Sequence, residues 1–326
     1  MAIDWRPFVE LVKRHESFVL TSHMRPDCDA IGSEIALALA LRALGKQAQI
    51  VNGDPVPPHI TFIDPNKEVQ VLDRDVRAAD LRPDVHLVLD TSAWNQLGPM
   101  ADVIRKSAAL KVVIDHHVSG DDLSAEVYKD TGAEATGRLI LEIIDALRVT
   151  VSPEMAMVLF AAIATDTGWF RFASVTAATY AAAARLVYSG ARPNEIFAAL
   201  YEQNSLARIK LQGRILIGAK TECGGRLIYS TATPADLSET GAEPTDTEDI
   251  VNRLLGVAGI QVALLFLELS PQETKVSLRS RTSFDVRKIA AQFGGGGHTA
   301  ASGVRYPGPL APAVTAVVDA VRKALG

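Results

Sequence analysis

The chain has 326 residues, 48% of them hydrophobic, enough for about two domains with a core in each. Its formal net charge of −5 excludes the broad basic surface that grips long duplex DNA, while a small anionic substrate held by metal ions stays compatible. Cys28 and Cys223 lie far apart with no CxxC spacing, which excludes a disulfide framework and a zinc ribbon. No apolar run approaches the roughly 18 residues of a membrane span, so a cytoplasmic protein without membrane contact is expected.

Residues 18–22 form the first predicted strand, followed by His23-Met24-Arg25-Pro26-Asp27-Cys28-Asp29-Ala30-Ile31-Gly32-Ser33. Pro26 fixes its own φ and biases Arg25 away from helix, so a turn carries the chain to a helix predicted over 31–44. In an open α/β sheet the carboxyl ends of strands face the ligand crevice, where His23, Asp27 and Asp29 can project together. A solvated turn with Asp29 as helix N-cap is the bland alternative. Strands follow at 47–52, 69–72 and 86–90; the last ends on Asp90, placed to bridge two cations, although an aspartate there is also an ordinary turn former. After a helix at 99–106, a strand over 112–115 leads into Asp115-His116-His117. Imidazole with carboxylate is the donor mixture that borderline divalent metals take. Helices at 135–147 and 153–164 come next, and Asp166 closes the second; a carboxylate at the end of so apolar a helix needs a partner or a metal.

A further helix at 177–189 is broken by Gly190-Ala191-Arg192-Pro193, and a charged connector helix runs from 194 to about 217. The alternation to this point predicts an α/β fold with a parallel sheet and helices on both faces. Strands at 227–233, 262–269 and 275–279 with helices at 246–257, 285–293 and 312–325 predict a smaller α+β domain, in which 233–247 is a polar excursion. The expected division is a catalytic domain at 1–190, a connector at 191–217 and a second domain at 218–326.

His23, Asp27, Asp29, Asp90, His116 and Asp166 make two imidazoles and four carboxylates on separate elements of one domain, a set suited to two ions about 3.5–4 Å apart with an open side for phosphate. Nitrogen and oxygen donors without thiolate favour manganese over zinc, with magnesium as an alternative. Gly294-Gly295-Gly296-Gly297 exposes backbone N–H groups, and Arg279 and His298 add donors suited to a terminal phosphate; a flexible loop is the structural alternative.

The stretches His23-x-x-Pro26-Asp27-x-Asp29-Ala30-x-Gly32-Ser33, Asp90-Thr91-Ser92, Asp115-His116-His117 and Ala164-Thr165-Asp166-Thr167-Gly168 resemble the four signature motifs of the DHH phosphoesterase superfamily, in its order. Ser277-Leu278-Arg279-Ser280-Arg281 and Phe293-Gly294-Gly295-Gly296-Gly297-His298-x-x-Ala301-Ser302-Gly303 resemble its associated C-terminal domain. The resemblance implies a two-manganese site with His23, Asp27 and Asp90 at one ion and Asp29, Asp90, His116 and Asp166 at the other, Asp90 bridging. It implies that His117 touches the scissile phosphate, making His117 and Asp90 the candidate catalytic residues, and that Asp115 orients an imidazole. Arg279, Ser280, Gly296, Gly297 and His298 would hold the end of a short nucleotide chain.

Within the superfamily the chain resembles the bacterial oligoribonuclease/pAp phosphatases, which implies hydrolysis of single-stranded RNA of about two to five nucleotides and dephosphorylation of 3′-phosphoadenosine 5′-phosphate (pAp). Alternatives from the same resemblance are a cyclic di-AMP/pApA phosphodiesterase and a family II pyrophosphatase, the glycine run counting against the latter. A non-catalytic nucleotide sensor is the alternative from another class. A homodimer is compatible with the family, and long duplex DNA is not an expected partner.

Overall fold

The computed structural model describes residues 3–281 and 283–326. These fall into two units, one ending at Gln203 and the other beginning at Asn204.

The first unit runs α1 (Arg6–Arg14), β1 (Ser17–Thr21), α2 (Cys28–Ala43), β2 (Gln47–Asn52), β3 (Val69–Val71), β4 (Val85–Leu89), α3 (Met100–Lys106), β5 (Leu110–Asp115), β6 (Glu126–Lys129), α4 (Thr136–Ala146), α5 (Pro153–Asp166), α6 (Ala177–Tyr188) and α7 (Pro193–Tyr201). The six strands pair in parallel in the order β3-β2-β1-β4-β5-β6. The order reverses between β1 and β4, and at such a switch point the loops leaving neighbouring strands diverge to opposite faces and open a crevice.

Strand side chains alternate between the two faces. Phe18, Leu20, Leu87 and Ile114 join a large core with α2, α4 and α5, while Val19, Val88 and Val113 join a smaller one with Met100 and Ile104 of α3. The expected helices on both faces are therefore present. Helix α2 is buried from Cys28 through Ala38, which explains its apolar residues on every side. Helix α1 was not among the predicted elements, although Phe8, Leu11 and Val12 have helical spacing and are the buried residues. Neither was β6, an edge strand in which only Tyr128 is buried.

His86 lies inside β4, 1% exposed, and its Nδ1 has no hydrogen-bond partner. Burial, with a smaller contribution from the Lys111 charge, lowers its pKa to about 4. The unfolded chain takes up this proton near pH 6.5, so the neutral imidazole contributes stability that is complete above that pH and is lost as the pH falls through about 4. In urea unfolding of metal-free protein, wild type should lose about 2 kcal/mol more between pH 7.5 and 5 than His86→Leu. Equal losses would mean that His86 is protonated in the folded state.

The second unit runs α8 (Leu206–Ile217), β7 (Lys220–Glu222), β8 (Leu227–Ala232), α9 (Pro234–Thr240), α10 (Ile250–Leu255), β9 (Val262–Ser270), β10 (Glu273–Ser280), α11 (Val286–Ala291), β11 (Gly296–Gly297), β12 (Ala301–Pro307) and α12 (Leu310–Leu325). Its mixed sheet has the order β11-β12-β10-β9-β8-β7, with β8 and β9 parallel and the other pairs antiparallel.

Three expectations need correction. The connector at 191–217 is not one helix: α7 ends at Tyr201, and α8 restarts where the Ser205 side chain accepts from the Arg208 amide. The polar excursion at 233–247 holds α9, opened by a reciprocal cap between Thr233 and Asp236 and closed by left-handed Gly241. The helix expected at 246–257 shrinks to α10, because Asp249 takes a left-handed φ of 65° immediately before it. Among the described residues no helix is long and apolar enough to cross a membrane.

Candidate metal centre

The loop after β1 delivers the first donors. Asp27 caps α2, one carboxylate oxygen accepting from the Asp29 amide at 2.9 Å and the Ala30 amide at 3.1 Å. The N-cap is thus Asp27 and not Asp29, which leaves Asp29 free to cross to α4. There its buried carboxylate accepts from the Thr136 and Gly137 amides, each at 2.7 Å, the kind of anion that a helix N-terminus favours. A Cβ on Gly137 would stand 2.7 Å from the Ala162 Cβ, so this approach of α4 requires glycine.

Asp90 leaves β4 in a left-handed conformation with φ 59°, tied through its amide to the Ile114 carbonyl at 3.0 Å. Its Oδ1 accepts from the Thr136 hydroxyl at 2.8 Å. A non-glycine residue in this region is strained by about 1–3 kcal/mol, and such outliers gather at functional sites. From the end of β5, His116 places Nδ1 3.2 Å from the Ala133 carbonyl. Donation there assigns the tautomer that leaves Nε2 as a lone-pair donor.

Around Asp90 the donors converge. His23 Nε2 lies 3.4 Å from Asp90 Oδ2. His116 Nε2 lies 3.6 Å from Asp90 Oδ1, 3.8 Å from Asp29 Oδ2 and 3.5 Å from Asp166 Oδ2. Three groups, His23/Asp27/Asp90, Asp29/His116/Asp166 and Asp90/His116/His117, keep their donor atoms within 4.8 Å of one another. Two ligands at right angles, each about 2.1 Å from an ion, stand about 3 Å apart, so these spacings fit divalent ions after slight contraction. His117 Nδ1 is 3.8 Å from Asp90 but already engaged by Asp115 at 2.9 Å, which directs this ring to a different task.

The electrostatics call for cations. Burial, then the charges of Asp90 and Asp166, raises Asp29 well above the ordinary carboxylate range. Burial, only partly offset by His116, raises Asp166 to about 6. Burial opposes charge on His23, but hydrogen bonds to Asp90 and the Met24 carbonyl outweigh it and raise the imidazole to about 9. Protons and mutual pairing thus stand in for the positive charge that divalent ions would bring. Asp115 behaves differently: burial raises it, yet donors from His117, Ser92 and Lys129 overcome this and hold it below the usual range.

In the second unit, a groove of about 430 Å³ is lined by Arg279, Gly296 and Gly297, together with Lys275, Ser277 and Gly303. Two expected residues are not among its lining. Ser280 is buried, its hydroxyl donating to the Phe284 carbonyl at 2.7 Å, because side chains alternate along β10. His298 sits in an exposed turn beyond β11, its amide bonded to the Ala301 carbonyl at 2.8 Å. Sequence reasoning also missed Thr136, whose only signal was its place before Gly137 at a helix start, and Lys275 and Ser277, which share a strand face with Arg279.

A parallel sheet whose switch point gathers imidazoles and carboxylates, joined to a domain with a glycine-lined groove, defines a two-domain α/β protein with a candidate metal centre. The chain belongs to the DHH family of phosphoesterases. The model of the DHH family, N-terminal domain, matches residues 17–163, and that of the DHHA1 domain matches 224–326. Over 322 residues, 98% of this chain and 94% of the relative, it is 32% identical to the bifunctional oligoribonuclease and PAP phosphatase NrnA of Thermus thermophilus. It is 26% identical to the Bacillus subtilis protein of the same name over 299 residues, 90% of this chain and 91% of that one. An exopolyphosphatase-related protein from Bacteroides fragilis superposes with a TM-score of 0.84 at 26% identity, covering 98% of this chain and 95% of the other.

Proposed function

We propose that this protein hydrolyses short single-stranded oligoribonucleotides of about two to five units to nucleoside 5′-monophosphates and removes the 3′-phosphate of pAp. The convergence of His23, Asp27, Asp29, Asp90, His116 and Asp166 at the switch point carries the reading, supported by nearly full-length likeness to relatives named for both activities. His23, Asp27 and Asp90 would hold one ion, and Asp29, Asp90, His116 and Asp166 a second. Manganese suits this set of nitrogen and oxygen donors, with magnesium as the alternative. When bound, such ions supply Lewis-acid stabilisation and an activated water at neutral pH.

The chain's own groups do the rest. With Nδ1–H held by Asp115, His117 presents Nε2 to a non-bridging phosphoryl oxygen; in its charged form, which Asp115 favours, it can donate a proton there. Arg279 and the Gly296 and Gly297 backbone would grip the terminal phosphate, with Ser277 in the place once expected for Ser280. RNA fragments and pAp both present a phosphoester beside a ribose, so one centre serves both. The unpaired Cys28 and Cys223 fit a reducing cytoplasm.

The test is a product-resolved assay with manganese on pAp, pApA, a five-nucleotide RNA, cyclic di-AMP and pyrophosphate. AMP from pAp and pApA, and monophosphates from the RNA, with the last two compounds untouched, is the expected result. Fast opening of cyclic di-AMP would move the protein to a signalling role, and activity on pyrophosphate alone would refute the reading of the groove. In the same assay Arg279→Ala should raise KM for pApA about 10-fold or more with a smaller change in kcat, the loss of one charged hydrogen-bond donor to phosphate. An unchanged KM would remove Arg279 from the substrate site.

A further inference from the structure

Asp115 is fully buried at the end of β5, and its carboxylate does more than touch His117. Oδ1 accepts from His117 Nδ1 at 2.9 Å and from the His117 amide at 3.1 Å. Oδ2 accepts from the Ser92 hydroxyl at 2.7 Å and faces Lys129 Nζ at 3.1 Å. Lys129 comes from β6, where parallel pairing sets it directly against Asp115. Its ammonium also donates to Ser92 Oγ at 2.8 Å and to the Ser119 carbonyl at 3.0 Å, so all three of its donors are used.

Ser119 belongs to the loop that carries His117 away from β5, and that loop rests on the same group. The Asp121 amide donates to the Ser92 carbonyl at 2.7 Å. A Cβ on Gly120 would come 2.2 Å from Ser92 Oγ and 3.2 Å from Lys129 Nζ, so the backbone passes directly over the pair. A buried carboxylate left with neutral donors alone would be costly, and Lys129 is the cation within reach whose charge does not depend on a histidine's protonation.

We infer that Lys129 is a positioning residue for the reaction: it anchors Asp115 and the Ser119 turn together, and thereby holds the His117 ring with Nδ1–H on Asp115 and Nε2 toward the substrate. The inference rests on the reading of His117 as the phosphate-facing group. A carboxylate behind a functional imidazole is a recurrent device, and changing such outer partners lowers activity about 10–100-fold. Here the device has a second tier, a lysine from the sheet edge behind the carboxylate. Lys129 contacts Asp115, Ser92 and the Ser119 carbonyl and is not part of the donor groups that converge on Asp90.

The experiment compares wild type with Lys129→Met, Lys129→Gln and Lys129→Arg. One readout is the imidazole ¹⁵N pattern of His117 in magnesium-loaded protein, assigned with His117→Gln. The other is kcat and KM on pApA with manganese. Lys129→Met and Lys129→Gln should lose the hydrogen-bonded Nδ1–H signal of His117 and lower kcat about 10–100-fold, with KM changing less than about threefold. Lys129→Arg should restore the pattern and bring kcat back to within about threefold of wild type, since a guanidinium keeps the charge on Asp115. An unchanged ring pattern in Lys129→Met, or a fall in kcat that arginine does not rescue, would overturn the inference. A wild-type protein inactive on pApA would instead defeat the functional reading, and the ring pattern would still decide whether Lys129 positions His117.

Discussion

Replacing Asp90 with asparagine should lower kcat/KM on pAp and on pApA by at least about 10³-fold, the scale expected when several kcal/mol of metal-borne charge stabilisation is lost. Asparagine keeps the side chain's size, and its carbonyl can still accept from the Thr136 hydroxyl that now donates to Asp90 Oδ1. What it removes is the charge between the donor groups His23/Asp27 and Asp29/His116/Asp166, since Asp90 is the carboxylate that approaches both His23 and His116. Metal content should therefore fall together with activity, while the fold persists. Asp90 repels Asp29 and Asp166 but also pairs with His23, so its removal has opposing effects and the metal-free variant should melt within a few degrees of metal-free wild type. Activity within tenfold of wild type would refute Asp90 as the shared ligand, and a collapsed fold would show that its role is structural.

The second large effect concerns the ions themselves. Chelation should abolish hydrolysis, and manganese added back should restore it and raise the melting temperature of the first unit. At a concentration 100-fold above Kd, binding to the folded state alone is worth about 2.7 kcal/mol. For a unit of this size that corresponds to a shift of about 5–10 °C. Asp29 and Asp166, with their elevated pKa values, sharpen the expectation, since they must release protons to ligate. Below pH about 6, where Asp166 holds its proton, manganese affinity and its thermal effect should both weaken. Differential scanning calorimetry with and without manganese at pH 7.5 and 5.5 measures this. An equal shift at both values would show that proton release from these carboxylates is not linked to binding.

Most of the candidate donor set was legible because its members stand at the ends of strongly patterned elements. Asp90 and Asp115-His116-His117 follow strands apolar on both faces, which announce a buried parallel sheet, and Pro26 forces the turn that brings Asp27 and Asp29 to the same edge. Thr136 and the Ala133 carbonyl were not legible. Neither carries chemistry until the fold lays the start of α4 across Asp29 and Asp90. β6 escaped notice because an edge strand with Val127 exposed has too little hydrophobic alternation to register, and Lys129 went with it. Ser280 is a different case. Its neighbour Arg279 lines the groove, so the two-residue period of a strand already sends Ser280 to the other face, and that inference was available from the sequence. The break in the connector lay with Ser205, an ordinary helix cap hidden inside a run of helix-forming residues.

The order β3-β2-β1-β4-β5-β6 has a bearing on how the protein is made. The donors enter the chain at His23, Asp27, Asp29, Asp90, His116 and Asp166, so a nascent chain on the ribosome owns half of them long before it owns the rest. β1 also has to wait for β4 before its inner edge is covered, and pairing between distant parallel strands is slow to form. The group His23/Asp27/Asp90 is complete once β4 has been made, whereas Asp29/His116/Asp166 waits for the last turn of α5. The two halves of the centre are thus completed at different times as the chain is made, the second only after β5, α4 and α5.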